Sequence, residues 1–504
     1  MSSQSIIENT KILRLAYDYT KNLSFSQPYK IQFMALNKYF KKRHFHLSRH
    51  YRSYMLTKFR TNQRKDCFLV KNFAFKNDFM TPRQSVLFPP KLYIYYTVQV
   101  FLLIYKIKSY CTLEKSGPHI LDFSTDHVKI FYTGLLDFTG RNIKTKSRYN
   151  NSYLEFQKYR AKFAGNRVLK IDIQNFFGNI TVDRLFQSLR KLVDSMHLSI
   201  PPEIDNIISF FKASEYSTLP QSQGSLASAI LSQLFLIKFT NELEKISSVY
   251  NLEVVRYVDD MYIKIPRKLK NKDINEVINL ISSELWKNGL NLNSKKTNLY
   301  SIKKYKEEVN FSRNINSSSN ISGVPFLEPP YIKNRIDELL DNNGDKLIHF
   351  LYEAKCIYEK KGTDIKKYHK LVNTYFSVGN DNANKVQNAL IFGDKWKILS
   401  INKKREILNY LEIIMFDPEK YVVFLLKIEK NINILTNGHP KPTTIVSNYI
   451  QSLHASFKSN KPYSVRDGLI DSNYYIQSQK SETSLEYIPR LSGDFYRYIF
   501  QFIV

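Results

Sequence analysis

Residues 254–265 read VVRYVDDMYIKI. Two runs rich in β-formers, Val254–Val258 and Met261–Ile265, flank Asp259-Asp260. The pattern predicts a hairpin with the acidic pair at its tip. Adjacent carboxylates repel unless a cation sits between them, so an exposed Asp-Asp at a β-turn reads as a metal site. The competing reading is a type I′ turn, for which Asp is locally suited. The usual following glycine is missing, which favours the metal.

A Tyr-x-Asp-Asp string is a weak signal by itself in a chain with 35 tyrosines. Two upstream segments strengthen it. Arg167–Ile173 alternates, with Leu169, Ile171 and Ile173 on one face and Lys170 and Asp172 on the other, the pattern of a strand. It lies in LKIDIQNFF, which sets Asp172 ahead of Phe176 and Phe177. QGSLASAILSQL, Gln223–Leu234, reads as a turn entering an apolar helix. Asp172 and Asp259 stand 87 positions apart, yet a strand beside a hairpin brings two such carboxylates together. Joining a 3′-hydroxyl to a nucleotide's α-phosphate requires lowering the hydroxyl's pKa and neutralising the leaving pyrophosphate. Two Mg²⁺ ions about 3.5–4 Å apart do both, and hard cations take carboxylate oxygens.

Composition bounds the partner. At 504 residues the chain predicts two or three packed units, and 43% apolar with 14% aromatic residues excludes a disordered chain. Seventy-five basic against 45 acidic side chains leave +30. Such an excess favours a polyanion, nucleic acid above all, against the alternative of a Lys- and Asn-rich compositional bias. Cys67, Cys111 and Cys356 form no CxxC pair, suggest neither zinc nor disulfides, and fit a reducing cytoplasm. The start MSSQSIIENTKILRL is not a signal peptide. No apolar run approaches the roughly 20 residues that span a bilayer, so no membrane partner is expected. The longest, Tyr93–Ile107, is broken by Gln99 and Lys106 and predicts a core helix.

Residues 1–80 read as a basic, aromatic N-terminal extension. Tyr39–Lys65 carries nine Lys or Arg interleaved with Tyr39, Phe40, Phe45, Tyr51, Tyr54 and Phe59. That suits a strand of phosphates and bases, or equally an amphipathic helix with a solvated basic face. His44, His46 and His50 read as surface histidines. SRNINSSSNISGVPFLEPP, residues 312–330, is dense in Ser, Asn, Gly and Pro and predicts a linker. Beyond it, Ile332, Ile336, Leu339 and Leu340, and again Ile407, Leu408, Leu411, Ile414 and Met415, fall on one helical face. Residues 331–504 therefore predict a separate, mostly α-helical domain, stacked in a repeat-like way without a clear period.

In this order, the Asp172 strand, the QGSL box and the YVDD hairpin resemble the reverse transcriptases over roughly residues 80–305. The resemblance implies an α+β fold, a right-hand polymerase core of fingers and palm over 81–311, followed by the α-helical, repeat-like C-terminal domain. In that family the acid at the position of Asp172 and the first acid of the YxDD box, Asp259, bind the catalytic metals. Asp260 supports them, and Ile173 counts among the metal contacts. Mg²⁺ is implied, two ions, with Mn²⁺ able to replace it. Phe177 is implied as the aromatic gate that stacks near the sugar and excludes a 2′-hydroxyl, hence deoxynucleotides. Gln223 would line the template or nucleotide side, Gly224 would let the backbone approach the nucleotide, and Tyr257 belongs to the same substrate site. The box departs from the family at Leu226, where proline is usual. GLNLNSKKTNLYSI resembles the following polymerase motif, with Gly289, Asn293, Lys296 and Thr297. Lys296 would protonate or screen pyrophosphate, against the reading of a solvated lysine. Arg83, Lys91, Arg141, Lys144, Lys146 and Arg148 are candidates for the basic fingertips that grip the triphosphate.

No ribonuclease H, integrase or endonuclease segment is recognisable, so the retroviral, retrotransposon and group II intron readings lose support. PRQSVLFPPKLYIYYTVQV, FSTDH and the helical half are similar to the bacterial defence-associated reverse transcriptases of the abortive-infection type and unknown groups. That kinship implies antiphage defence by an RNA-directed or template-independent DNA polymerase, protein-primed on a Tyr in several members. It implies dNTPs, a non-coding RNA or DNA product as nucleic-acid partner, and a homo-oligomer. Tyr474, Tyr475, Tyr487, Tyr496 and Tyr498 offer hydroxyls for priming, none of them singled out. The alternatives are a retron-like enzyme copying an associated non-coding RNA and a catalytically silent RNA-binding scaffold.

Overall fold

The computed structural model describes residues 3–26, 31–42, 49–57, 59, 69–75, 82–111, 122–132, 135–137, 144–146, 149–214, 216–221 and 225–316, with isolated residues between 345 and 502. Gln223, Gly224, Arg141, Arg148, the helical patterns at 332–340 and 407–415, and Tyr474, Tyr475, Tyr487 and Tyr496 lie outside them.

Three helices open the chain, α1 (Ser3–Ser26), α2 (Ile31–Lys42) and α3 (Arg49–Leu56), followed by strands β1 (Val70–Phe75) and β2 (Pro82–Leu87). Next come α4 (Pro90–Cys111), the short strands β3 (Val128–Phe131), β4 (Leu135–Asp137) and β5 (Lys144–Lys146), and α5 (Tyr149–Ala161). Then follow β6 (Arg167–Asp172), α6 (Phe176–Asn179), α7 (Val182–Ser195), α8 (Pro202–Ala213), α9 (Leu226–Phe235) and α10 (Ile237–Tyr250). The last described elements are β7 (Glu253–Tyr257), β8 (Asp260–Ile265), α11 (Asn271–Lys287), β9 (Asn298–Tyr300) and α12 (Ile302–Asn316). Helix α12 thus takes in the first five residues of the linker expected at 312–330. Tyr305 and Val309 anchor that helix in the core.

By packing, the described residues fall into two compact units, one within 1–24, 39–69 and 88–316, the other within 25–38, 70–87 and 317–504. In the second, β1 and β2 pair antiparallel. There Gln32 donates to the Tyr498 hydroxyl at 3.2 Å, and both residues are fully buried. Tyr498 is therefore a packing residue.

The first unit is built on a mixed five-stranded sheet of order β3-β7-β8-β6-β9. Only β3–β7 is parallel. Side chains alternate across a strand, and both faces are covered. Val168, Val255 and Tyr262 pack with Phe156 of α5 and with Tyr305 and Val309 of α12. On the opposite face Arg256 reaches Thr240 of α10. No helix among the described residues is long and apolar enough to cross a membrane.

Helix α4 is the core helix expected over Tyr93–Ile107, begun by Pro90, whose missing N–H costs nothing in a first turn. The two polar residues that interrupt its apolar run both find partners, Gln99 inside the core and Lys106 at its edge. Gln99 donates to the Met55 carbonyl at 2.7 Å and accepts from Asn206 at 2.8 Å. Lys106 forms an ion pair with the buried Glu203 at 2.7 Å. Of the N-terminal aromatics, Phe40 and Phe59 are core, Phe59 edge-on to Tyr95 and Phe210. For those two rings packing, not base stacking, is the role.

Candidate active site

Strands β6 and β8 run antiparallel in a register that sets Asp172 opposite Asp260. Directly opposed residues lie about 5 Å apart at Cα, with their side chains on one face. Strand β7 closes on β8 through the pair Tyr257–Asp260, which leaves Val258 and Asp259 as a two-residue turn. The sheet thus delivers all three acids to one end, although Asp172 and Asp259 are 87 positions apart in the chain.

The turn is not the type I′ turn weighed above. Val258 has φ 54, whereas Asp259 is absent from the positive-φ residues. Those signs belong to a II′ turn, whose first central position is normally glycine. A β-branched residue there is a conformational outlier, of the kind that collects at functional sites.

Asp172 is 4% exposed, and both its oxygens are engaged. Asn293 Nδ2 donates to Oδ1 at 2.8 Å and Lys296 Nζ to Oδ2 at 2.9 Å. The Asn293 amide also donates to the Asp172 carbonyl at 2.8 Å. A bridge between Ile173 and Leu292 and a bond from the Gln174 amide to the Asn291 carbonyl align the two segments. The LNSKKT stretch is thereby fastened along the end of β6. Lys296 itself is 60% exposed, so only its ammonium is committed.

Partial burial, then the charges of Asp260 and Asp172, push the Asp259 carboxyl up to about 7. Asp260 is raised too, by burial first, although Lys170 opposes the rise. Such acids demand a cation. Among the described residues, however, no group of three or more His, Cys, Asp or Glu side chains is gathered as a ready-made metal cage. The cation seated on Asp172 is the Lys296 ammonium. Hard carboxylate oxygens, repelling one another and already drawing an ammonium, are a donor set that fits a hard divalent ion. Ile173, whose side chain has no donor, offers only its main-chain carbonyl.

Phe176 and Phe177 occupy one turn of helix, α6, entered through Asn175 at φ 44. Phe176 is buried and Phe177 half-exposed, the two rings 5.3 Å apart and edge-on. Of the pair, Phe177 is the one free to meet a ligand. Helix α9 follows the QGSL box as expected. Ser225 caps it, its hydroxyl accepting from the Ser228 amide at 3.2 Å, and every residue from Leu226 to Phe235 is buried. Tyr257 stacks edge-on with Tyr153 at 5.2 Å, next to the acids. Among the fingertip candidates, Lys91 is exposed at the start of α4. Lys144 and Lys146 sit on β5, which pairs with β4, and Arg83 lies on β2.

Two residues near the acids had no assigned role in the sequence reading. Asn293 stands in the motif after Gly289 with nothing local to mark it as a partner of Asp172. Arg256, buried behind the hairpin, donates to the Val258 carbonyl at 2.9 Å and to Thr240 at 3.0 Å. Burial draws its guanidinium down to about 9. The available signal was a lone charge in the apolar run VVRYV.

Residues 139–324 match the family model described as "Reverse transcriptase (RNA-dependent DNA polymerase)". That span contains Asp172, Phe177, the QGSL box, the YVDD hairpin and Lys296. A reverse transcriptase domain is a nucleotidyltransferase, an RNA-directed DNA polymerase that works with divalent metal ions, and the chain carries one. No curated protein matches the chain. Among solved structures, the chain is similar to telomerase from Candida tropicalis in complex with a fragment of telomeric RNA, at 13% identity and a TM-score of 0.30. That match covers 76% of this chain and 63% of the other. The corresponding Candida albicans complex matches at 12% identity and a TM-score of 0.22, covering 60% and 52%. The chain therefore spans less than two thirds of either telomerase chain.

Proposed function

We propose that this protein is a reverse transcriptase that adds deoxynucleotides to a DNA end under the direction of RNA, with Asp172, Asp259 and Asp260 as its catalytic acids. The observation that carries the reading is the register of β6 on β8, which sets Asp172 opposite Asp260 at the tip of a YVDD hairpin. Asp172, Asp259, Asp260 and the Ile173 carbonyl would hold Mg²⁺, or Mn²⁺ in its place. Such ions lower the pKa of a 3′-hydroxyl and neutralise a leaving pyrophosphate. Lys296, released from Asp172, lies at the right end of the sheet to meet a triphosphate. Phe177 beside the buried Phe176 acts as the sugar gate, and the resemblance alone gives Gln223 and Gly224 a role at the nucleotide. The net charge of +30 supports a nucleic-acid partner.

The test is extension of a primed RNA template by the purified chain with labelled deoxynucleotides and Mg²⁺. Asp259→Ala and Asp260→Ala together should abolish synthesis while leaving RNA affinity near that of the unaltered protein. If the double variant still synthesises DNA, the assignment of these acids is wrong. A role in antiphage defence rests on the sequence resemblance to abortive-infection enzymes. Its measure is plaque formation on cells carrying the active protein against cells carrying the Asp259→Ala, Asp260→Ala variant. Equal plaque counts reject it. Priming on a Tyr belongs to the same kinship, and purified protein that never gains covalently bound DNA rejects that too.

A further inference from the structure

The turn that presents Asp259 rests on a residue ill suited to it, and the surroundings hold that residue on every side. Val258 is at φ 54, a region that a β-branched side chain avoids. Its amide donates to the Phe131 carbonyl on β3 at 3.1 Å. Its carbonyl accepts from Arg256 Nη1 at 2.9 Å, and its side chain is 6% exposed. Arg256 is itself anchored, Nη2 donating to Thr240 Oγ1 on α10 at 3.0 Å. Thr240 is 3% exposed and Arg256 completely buried. Among the described residues the Arg256 Nε has no hydrogen-bond partner, and no carboxylate forms an ion pair with the guanidinium.

A guanidinium buried without an ion pair and with a donor unused is an expensive way to fill the face of a strand. Val254 and Met261 fill theirs with apolar side chains. What no apolar residue can do is grip a carbonyl two residues ahead and tie it to a neighbouring helix. We infer that Arg256 is a positioning residue for the polymerase reaction: with Thr240 it clamps the Val258 peptide in its disfavoured conformation and so fixes how Asp259 leaves the turn. Groups that aim a metal-binding carboxylate in this way set cation affinity although they never touch the cation. The inference rests on the functional reading above for its consequence in catalysis, but not for the clamp itself.

The experiment uses the full chain as Arg256→Lys, Thr240→Val, Val258→Gly and the double variant Arg256→Lys, Val258→Gly. Three quantities are read. These are Mn²⁺ binding without nucleotide, followed by electron paramagnetic resonance, the Tm, and kcat with KM for deoxynucleotide. Lysine keeps the charge but lacks the two-nitrogen fork by which Arg256 joins Val258 to Thr240. Arg256→Lys should weaken Mn²⁺ binding by about tenfold or more and lower kcat, with KM for deoxynucleotide little changed. Thr240→Val should move the same quantities in the same direction, by less. Glycine at 258 removes the conformational conflict, so in that background the fall in Tm and in Mn²⁺ affinity caused by Arg256→Lys should shrink to about half or less. Equal losses in both backgrounds, or wild-type Mn²⁺ binding by a folded Arg256→Lys protein, overturn the clamp. If Arg256→Lys does not fold, the same cycle is run with Thr240→Val. If the unaltered protein makes no DNA the polymerase reading fails, while the Tm cycle still decides the clamp.

Discussion

At the scale of single residues, Lys296 and Asp172 separate a stabilising pair from a functional one. An ion pair with a mostly exposed lysine is worth about 0–1 kcal/mol, so Lys296→Ala should leave unfolding by urea almost unchanged. If the ammonium serves the pyrophosphate, the same variant slows nucleotide addition by about 10²-fold or more, read in single-turnover kinetics. Phe177 has its own measurement. Its ring is half-exposed where Phe176 is buried, so Phe177→Ala should raise ribonucleotide incorporation relative to deoxynucleotide, whereas a packing role would give lower stability with selectivity intact. Asp259 carries a pH signature. A carboxyl held up at about 7 when folded, against 3.8 when freely solvated, binds its proton more tightly in the folded chain. Stability is then fullest below the unfolded value and falls as pH rises from there towards about 7. With divalent ions chelated, Asp259→Asn should have a higher Tm than the unaltered protein at about pH 7.5, the two converging at about pH 4.

At the scale of elements, the loop from α11 into the LNSKKT stretch is the point most sensitive to a small change. Gly289 sits at φ 70, and a β-carbon there would collide with the Arg184 guanidinium. That side chain can swing away, but the backbone conformation cannot be relieved, so Gly289→Ala should cost about 1–2 kcal/mol. Gly289→Asn, which tolerates the left-handed region, should cost less, and urea unfolding distinguishes them. The hairpin, the Asp172 strand and helix α4 were legible because each repeats one pattern along its length. Arg256 was not legible, because a charge in a strand reads as an exposed position until the register turns it towards Thr240. Asn293 escaped for a different reason. Its partner lies 121 positions away, and no local pattern connects an Asn to one particular carboxylate. The II′ turn at Val258 contradicts local preference outright, because tertiary contacts on both sides of the peptide outweigh it.

Over the whole molecule, charge makes the first prediction. With a net +30, affinity for single-stranded RNA should fall as a power of the salt concentration, with a log–log slope of about −3 or steeper, equivalent to roughly four neutralised phosphates. A flat salt response would argue against an electrostatic groove. The strand order β3-β7-β8-β6-β9 has a consequence for biosynthesis. The strands of that sheet come from residues as far apart as 128 and 300, and its one parallel joint needs a long crossover before it can form. Non-local pairing of this kind is slow. On the ribosome, Asp172 is made long before either the hairpin that faces it or the segment that grips its oxygens. Until the chain has grown past residue 300, the half-built sheet has open edges, and arrested nascent chains should bind chaperones until β9 emerges.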